Sequence, residues 1–460
     1  MLRGRGRSAG GRVVVAAVLT AAALAGCATQ TNAPSSVATT AATLNGVLSC
    51  SADVDGRWAW QWRELGTRAW TSGGGVQVDC PHRVMPLSYR ATGLKPDTTY
   101  EYRMLVDVGR RCDLNTPSTC RDVASIDGAG RLNGTSWSTM TTQPRCDDVQ
   151  AAGESLAHFV DSAGAGTPAA RKVLCLRGGT QDIGQVNGIP AWTTLTPQGE
   201  PNGTKQTSVL IGNIALDHPG AALEDVRVKG CYGSPGCSGS RDKVVDVTAD
   251  DTALIHVDLT QRNHRSDRIQ CVHVGSDHGQ LTGVRMEYSK AHSCGPQSDD
   301  HHYHGLYCRD AIGMRVTGNW FYDNEGFGVQ MYPNCDGAVA VGNVIAMNGG
   351  SCDLSGTGSS TQTTGAVYRN GFCGLARDSG LFPPVHCYNA GSNQVVDMVV
   401  YDTQQPRGVT DCGSGQLKQS GTYNANPQFV DAGHYDFRMR NPFARAKLGI
   451  YAEIVPGPRW

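Results

Sequence analysis

A near-duplicated block constrains this chain more than any other feature. It runs from His304-Gly305-Leu306-Tyr307 through Gly318-Asn319, then restarts at Phe327-Gly328-Val329-Gln330 and runs through Gly342-Asn343. The second Gly-Asn follows the first by 24 residues, and Asn348 follows Asn324 by the same interval. Between them apolar residues alternate with small or polar ones, as in Met314-Arg315-Val316 and Val339-Ala340-Val341. A period of this size means stacked repeats, a strand solenoid in which each unit buries its apolar face against its neighbours.

The register extends backwards to four aligned triplets: Val245-Asp246-Val247, Val272-His273-Val274, Leu306-Tyr307-Cys308 and Val329-Gln330-Met331. Because strand side chains alternate faces, the outer members of each triplet point into the coil and the middle one points out. The spacing therefore predicts an outward column of Asp246, His273, Tyr307 and Gln330. A second column of Thr248, Gly275, Arg309 and Tyr332 lies beside it. Coils stack about 4.8 Å apart, so these side chains can converge on one extended ligand. Asn319, Asn324, Asn343 and Asn348 recur in register and are expected to form amide ladders in the turns.

Over residues 146–460 the block resembles the right-handed parallel β-helix superfamily, which includes pectate and alginate lyases, polygalacturonases and mannuronan epimerases. Asp147 to Ala163, with Val149, Leu156, Phe159 and Val160 apolar, is expected to be a cap helix. Val173-Leu174-Cys175-Leu176 before Gly178-Gly179-Thr180 resembles the entry to the first coil. Asn426 to Asp431 followed by Tyr435-Asp436-Phe437-Arg438 resembles the closing segment. Gly349 to Gly365, full of Ser, Thr and Gly, reads as a long loop.

The resemblance implies a carbohydrate-active protein, and fold alone does not choose the reaction. Eight of the 13 histidines lie between His256 and His304, and Ser298-Asp299-Asp300-His301-His302-Tyr303-His304 occupies the longest gap between strands. A uronic-acid lyase or C5 epimerase needs a base, an acid and a cation to neutralise the carboxylate. His273, Tyr307 and Arg309 fill those catalytic roles. Asp246, Gln330, Tyr332, His301, His302 and His304 are the expected substrate-binding residues.

Two alternatives stay open. A non-enzymatic surface protein would use the same groove for adhesion or glycan binding. A glycoside hydrolase would need two carboxyl groups, which Asp250 with Asp251 or Asp299 with Asp300 could supply. The polygalacturonase pattern is not present as a set, and neither is an Asp-Pro-His motif nor the calcium-binding Asp set of pectate lyases. No cofactor is fixed by the residues. A divalent cation such as calcium is a candidate, and His301, His302 and His304 form the densest set of potential ligands.

The N-terminal part locates the protein. Arg3, Arg5, Arg7 and Arg12 precede an apolar run from Val13 to Ala25, which reads as a signal peptide. Leu24-Ala25-Gly26-Cys27 resembles the bacterial lipobox. That resemblance implies a signal peptide over 1–26, lipidation at Cys27 and anchorage on the outer face of the cell membrane. Residues 27–41 read as a flexible tether.

The 16 cysteines beyond Cys27 form an even number, expected to pair as disulfides in an oxidising compartment. Cys50 with Cys80, Cys112 with Cys120, Cys231 with Cys237 and Cys373 with Cys387 are near enough for local clips, though connectivity is not legible.

Residues 42–142 are rich in short alternating strands. Gly93-Leu94-Lys95-Pro96-Asp97-Thr98-Thr99-Tyr100 resembles the fibronectin type III corner, implying a β-sandwich spacer. Trp58, Trp60 and Trp62 share one strand face, suited to sugar stacking or to the sandwich core. With 40 basic and 41 acidic residues the chain does not look like a nucleic-acid binder, and a monomer is expected. The expected architecture is all-β: a fibronectin type III sandwich followed by a right-handed parallel β-helix.

Overall fold

The computed structural model describes residues 27–35, 40–50, 54–64, 67, 69–80, 84–95, 99–108, 125–126, 132–133, 138–141, 146–198, 206–231, 242–261, 268–277, 279–296, 301–355, 362–377, 382–388, 391–402, 417–452 and 455–458. Beyond residue 146 the described chain winds into a parallel β-solenoid of the right-handed type with about 8 turns. One coil shows the plan: Ala253–Ile255 lies on one face, Asp258–Gln261 on a second and Gln270–Val274 on a third. Each pairs in parallel with its counterpart in the next coil, Arg285–Glu287, Lys290–His292 and Leu306–Cys308.

The interior is the apolar half of the alternation. Val245, Val272, Leu306 and Val329 are fully buried, as are Val247, Val274, Cys308 and Met331, or nearly so. The turns between the first and second faces repeat one backbone trick. Asp225, His256, Tyr288, Gly318, Gly342, Asn370, Asp397 and Gly421 all hold positive φ there, forming a left-handed column. Glycine adopts that conformation without a Cβ penalty, which explains the first member of each Gly-Asn pair.

The second member is the ladder rung. Asn319 is fully buried and Asn343 nearly so, and the Asn343 Oδ1 accepts both the Asn319 backbone N–H and its Nδ2–H at 2.9 Å. Asn343 Nδ2 donates to the Val316 carbonyl at 2.8 Å, while Asn319 Oδ1 accepts from the Ser289 amide at 2.8 Å. Asn324 and Asn348 repeat the arrangement one turn further along, at 2.9 and 3.1 Å.

Disulfides tie the coils: Cys146–Cys175, Cys271–Cys294, Cys308–Cys335 and Cys352–Cys373. Cys231 and Cys387 are also oxidised, and no described cysteine is free. The expected Cys373–Cys387 clip is therefore corrected, because Cys373 faces Cys352 across one coil rather than its sequence neighbour. The Cys50, Cys80, Cys112, Cys120 and Cys237 side chains lie outside the described residues. Paired thiols of this kind indicate an oxidising, extracytoplasmic setting. Among the described residues no helix is long and apolar enough to cross a membrane.

Other expectations shift in detail. The cap helix is shorter, Leu156–Ser162, with Ser155 capping it and Leu156, Phe159 and Val160 buried. Val149 lies outside that helix, 40% exposed in the short strand Asp148–Val149. The supposed loop from Gly349 begins as a strand, Gly350–Leu354, because stacking on Phe327–Met331 overrides its weak strand propensity. Gly350 is needed there, since a Cβ would sit 2.4 Å from the Phe327 ring. The closing segment forms an antiparallel hairpin, Phe429–Asp431 with Asp436–Met439. It packs Phe437 and Met439 against Trp320, Tyr322 and Phe372 on the second face.

Before the solenoid the described residues form three antiparallel sheets: one of Cys27–Ser35, Ala41–Cys50 and Val84–Thr92, one of Thr71–Cys80, Val54–Glu64, Thr99–Val108 and Ser138–Thr141, and a small pair of Ser125–Ile126 with Leu132–Asn133. Cys27–Ser35 thus pairs as a strand where the sequence suggests a tether. Trp60 and Trp62 are buried, at 0% and 6% exposure, so they belong to the core and not to a sugar platform. The Trp58 side chain lies outside the described residues.

The ladder yields a stability prediction. Asn343→Ala strands two buried donors on Asn319 and the Val316 carbonyl, so unfolding in urea should show a loss of about 3 kcal/mol. A change below roughly 1 kcal/mol would mean that the amides are not holding the turns.

Candidate functional site

The outward column of the third face exists in register. Asp246 pairs with His273, His273 with Tyr307, and Tyr307 with Gln330. The parallel ladder carries it further, to Asp353 beside Gln330 and His386 beside Asp353. The flanking residues Thr248, Gly275, Arg309 and Tyr332 each donate a backbone N–H to the preceding coil, to Leu216, Val247, Val274 and Cys308 respectively. Both columns were therefore legible as geometry, and Gly275 is glycine because a Cβ would lie 2.8 Å from the Arg309 carbonyl oxygen.

Asp246 and His273 form a dyad. The His273 Nδ1 lies 2.8 Å from Asp246 Oδ1, and both side chains are about nine-tenths buried. In the neutral ring, an Nδ1–H donated to the carboxylate leaves the lone pair on Nε2. No described group bonds Nε2. Lys243 Nζ stands 3.9 Å from the other carboxylate oxygen. Asp246, expected from the sequence to bind substrate, bonds the histidine through Oδ1.

Tyr307 sits one coil above, its ring centroid 5.6 Å from that of His273 and 6.5 Å from that of Tyr332. Burial, aided by the neighbouring Tyr332 and partly opposed by Arg309, pushes its phenol up to about 12, so it stays protonated at neutral pH. Among the described residues no hydrogen bond engages its hydroxyl. Arg309 is half exposed, with Nε 3.0 Å from Asp310 and a terminal nitrogen 3.7 Å from Asp277.

The histidine-rich segment divides three ways. Glu325, almost fully buried, accepts the backbone amides of His301 at 2.6 Å and Tyr303 at 3.1 Å, clamping the segment onto the solenoid. The His301 ring meets the edge of Phe382 with centroids 5.1 Å apart, and His302 is exposed. His304 is 5% exposed, and its Nδ1 accepts the Phe327 amide at 2.9 Å. Burial, with the adjacent His302 and His301, pushes its imidazolium down to about 3, so the ring is neutral and packed in the fold at neutral pH. Among the described residues no three His, Cys, Asp or Glu side chains converge to hold a metal ion.

The carboxylate pairs fare differently. Asp250 accepts the Thr282 amide at 2.6 Å, and Asp251 holds a left-handed turn at φ 56°, so both serve the turn. Asp299 and Asp300 lie outside the described residues. Asp258 is buried on the second face. Burial raises its pKa, but the hydrogen bond and charge of His292 together with Arg227 prevail and hold it at about 2.

Asp353 and His386 are the groove residues that sequence reasoning missed. Asp353 is 1% exposed and accepts from His386 Nδ1 at 2.7 Å, Gln330 Nε2 at 3.0 Å and Ser355 Oγ at 2.5 Å. The alternation of Cys352-Asp353-Leu354 was the available signal, masked by the Gly- and Ser-rich composition around it.

No protein-family model and no curated protein matches the chain. Among solved structures, it is similar to the pectin methylesterase of Aspergillus niger, at 14% identity and a TM-score of 0.27, covering 62% of this chain and 87% of that one. The Agl-KA catalytic domain matches at 10% identity and 0.26, over 86% of this chain and 95% of its own. The sensor domain of the anti-sigma factor RsgI4 from Pseudobacteroides cellulosolvens matches at 14% identity and 0.19, over 26% and 95%. Likenesses at these scores assign neither an activity nor a substrate.

The His304 environment sets a pH dependence. Its folded value of about 3 lies below its ordinary 6.5. Between those values the unfolded chain takes up a proton that the fold refuses, so stability is full above pH 6.5 and declines as pH falls toward 3. His304→Asn retains an acceptor for the Phe327 amide but does not titrate. Its urea midpoint should fall less steeply than that of the wild type between pH 6.5 and 4. Parallel curves would refute the assignment.

Proposed function

We propose that the third face of the solenoid processes an acidic polysaccharide as a lyase or C5 epimerase on a uronic-acid polymer. The observation that carries this reading is the Asp246–His273 bond, which leaves Nε2 as an oriented base one coil from the unbonded, protonated Tyr307 hydroxyl. His273 Nε2 would take the proton alpha to the carboxylate. In the lyase branch Tyr307 would then protonate the departing glycosidic oxygen, and in the epimerase branch it would return a proton to the same carbon from the other side. Arg309 would neutralise the carboxylate on exchanging Asp310 for the substrate. A hydrolase is ranked below, because Asp250 and Asp251 serve the turn and the groove carboxylates Asp246 and Asp353 are each occupied by a histidine.

A glycan-binding protein without turnover is the second reading, favoured by the existing Arg309 ion pairs with Asp310 and Asp277. In either case we assign residues 42–142 to a fibronectin type III spacer. The Tyr100 hydroxyl supports this, since it accepts the Lys95 amide at 2.8 Å in the manner of a tyrosine corner. Lipidation at Cys27 would place the groove outside the cell membrane.

The test is incubation of the purified chain with pectic, alginate and glycosaminoglycan polymers, following absorbance of unsaturated product and deuterium uptake from heavy water at C5. Tyr307→Phe and His273→Ala should each lower kcat by roughly 10²- to 10⁴-fold. Neither product nor deuterium uptake across the panel, with polymer still bound, would replace this reading by the glycan-binding one.

A further inference from the structure

The dyad geometry at Asp246 and His273 recurs once on the same strip. Asp353 and His386 are register partners in adjacent coils, as Asp246 and His273 are, and the histidine again uses Nδ1 toward the carboxylate. The His386 side chain is 26% exposed, and among the described residues nothing bonds its Nε2. Its ring stacks on Phe327 with centroids 5.7 Å apart and meets Phe382 edge-on at 5.4 Å, which fixes its rotamer.

A buried Asp–His pair between coils of the second face shows what a purely structural one looks like. His292 gives Nε2 to Asp258 at 2.9 Å and Nδ1 to the Ser293 hydroxyl at 3.1 Å, leaving no ring nitrogen over. His386 differs in keeping one nitrogen for a ligand.

Gln330 joins the two halves of the strip. It is the register partner of Tyr307 below and donates to Asp353 above at 3.0 Å. Disulfides at the neighbouring inward positions, Cys308 beside Tyr307, Cys352 beside Asp353 and Cys387 beside His386, hold the strands that carry these groups. An in-plane hydrogen-bonding nitrogen beside aromatic walls suits a sugar, whose hydroxyls are polar at the rim and whose ring face is apolar.

We infer that His386, oriented by Asp353, is a second sugar-binding position on the same polymer, so that the groove grips an extended uronic-acid chain across four coil steps from His273. That span is about 19 Å at the spacing of stacked strands. The inference rests on the acidic-polysaccharide reading of the groove. His386 is too far from His273 to touch the same sugar unit. It is therefore a positioning residue for the reaction at Tyr307, and its contact favours long substrates over short ones.

The experiment uses the full chain carrying Tyr307→Phe to suppress turnover, titrated calorimetrically with size-fractionated oligogalacturonates and oligomannuronates from disaccharide to octasaccharide. The octasaccharide should bind more tightly than the disaccharide. Adding His386→Ala should weaken octasaccharide binding roughly three- to tenfold, the effect of one lost hydrogen bond, while disaccharide binding does not change. His386→Gln, which keeps a donor near the Nε2 position, should recover part of that loss and guards against a folding defect. If the length dependence is the same with and without His386, the second position is refuted and the reading of the His273 centre stands. If the wild-type chain neither binds nor converts any of these oligomers, the acidic-polysaccharide reading falls and the inference falls with it.

Discussion

Everything on the outer surface of this solenoid depends on a buried amide. A coil that turns sharply must place backbone N–H and C=O groups in a dry interior, where an unpaired group costs about 1–3 kcal/mol. Asn319 and Asn343 meet that demand from two adjacent coils, and Asn324 with Asn348 do so again. Each Oδ1 takes donors from the coil before it, and each Nδ2 returns a bond to a carbonyl there. The bonds are specific to one stacking register. A slip of one residue would reverse every strand face and send Tyr307 inward in place of Leu306 or Cys308. The ladder is therefore what aligns His273, Tyr307, Gln330 and Asp353 on one strip.

The strip itself shows how polar groups are kept on a half-buried surface. Three of the buried aspartates of the solenoid each meet a histidine of the following coil: Asp246 with His273, Asp258 with His292, Asp353 with His386. What separates the pairs is the other ring nitrogen. Asp258 also holds Arg227, while Ser293 takes the remaining nitrogen of His292, so that pair closes on itself beside Tyr322 and the C-terminal hairpin. The pairs on the third face stay open at Nε2. The same two residue types close on each other on one face and leave a ring nitrogen open on another, and only second contacts distinguish them.

Those second contacts explain what the sequence could and could not disclose. The period, the inward and outward alternation and the two columns follow from spacing alone, because Gly318-Asn319 and Gly342-Asn343 mark the same turn in successive coils. His304 was unreadable, since its burial depends on the Phe327 amide 23 residues away. Cys373 was misassigned because its partner is fixed by where Cys352 stacks. Asp353 and His386 escaped notice because Gly350 to Leu354 has little strand propensity of its own and becomes a strand by pairing with Phe327 to Met331. Trp60 and Trp62 look alike in either role, and sandwich packing decides for the core.

Coverage of the faces then bears on where a long ligand can lie. Phe437, Met439, Ala444 and Leu448 seal the second face over Trp320, Tyr322 and Phe372, which removes its ring-bearing positions from any ligand. On the third face the Tyr307 hydroxyl and the Nε2 atoms of His273 and His386 have no described partner, although each belongs to a side chain otherwise fixed by packing or by a carboxylate. Holding such groups in place before a ligand arrives costs stability through desolvation, yet it removes the entropy of ordering them later. The disulfides beside Tyr307, Asp353 and His386 offset that cost where it falls, by tethering the strands that present these groups. Rigid, partly desolvated and unsatisfied groups in one line are what an extended polar ligand requires of a surface, and the stacked coils supply that line at a fixed pitch.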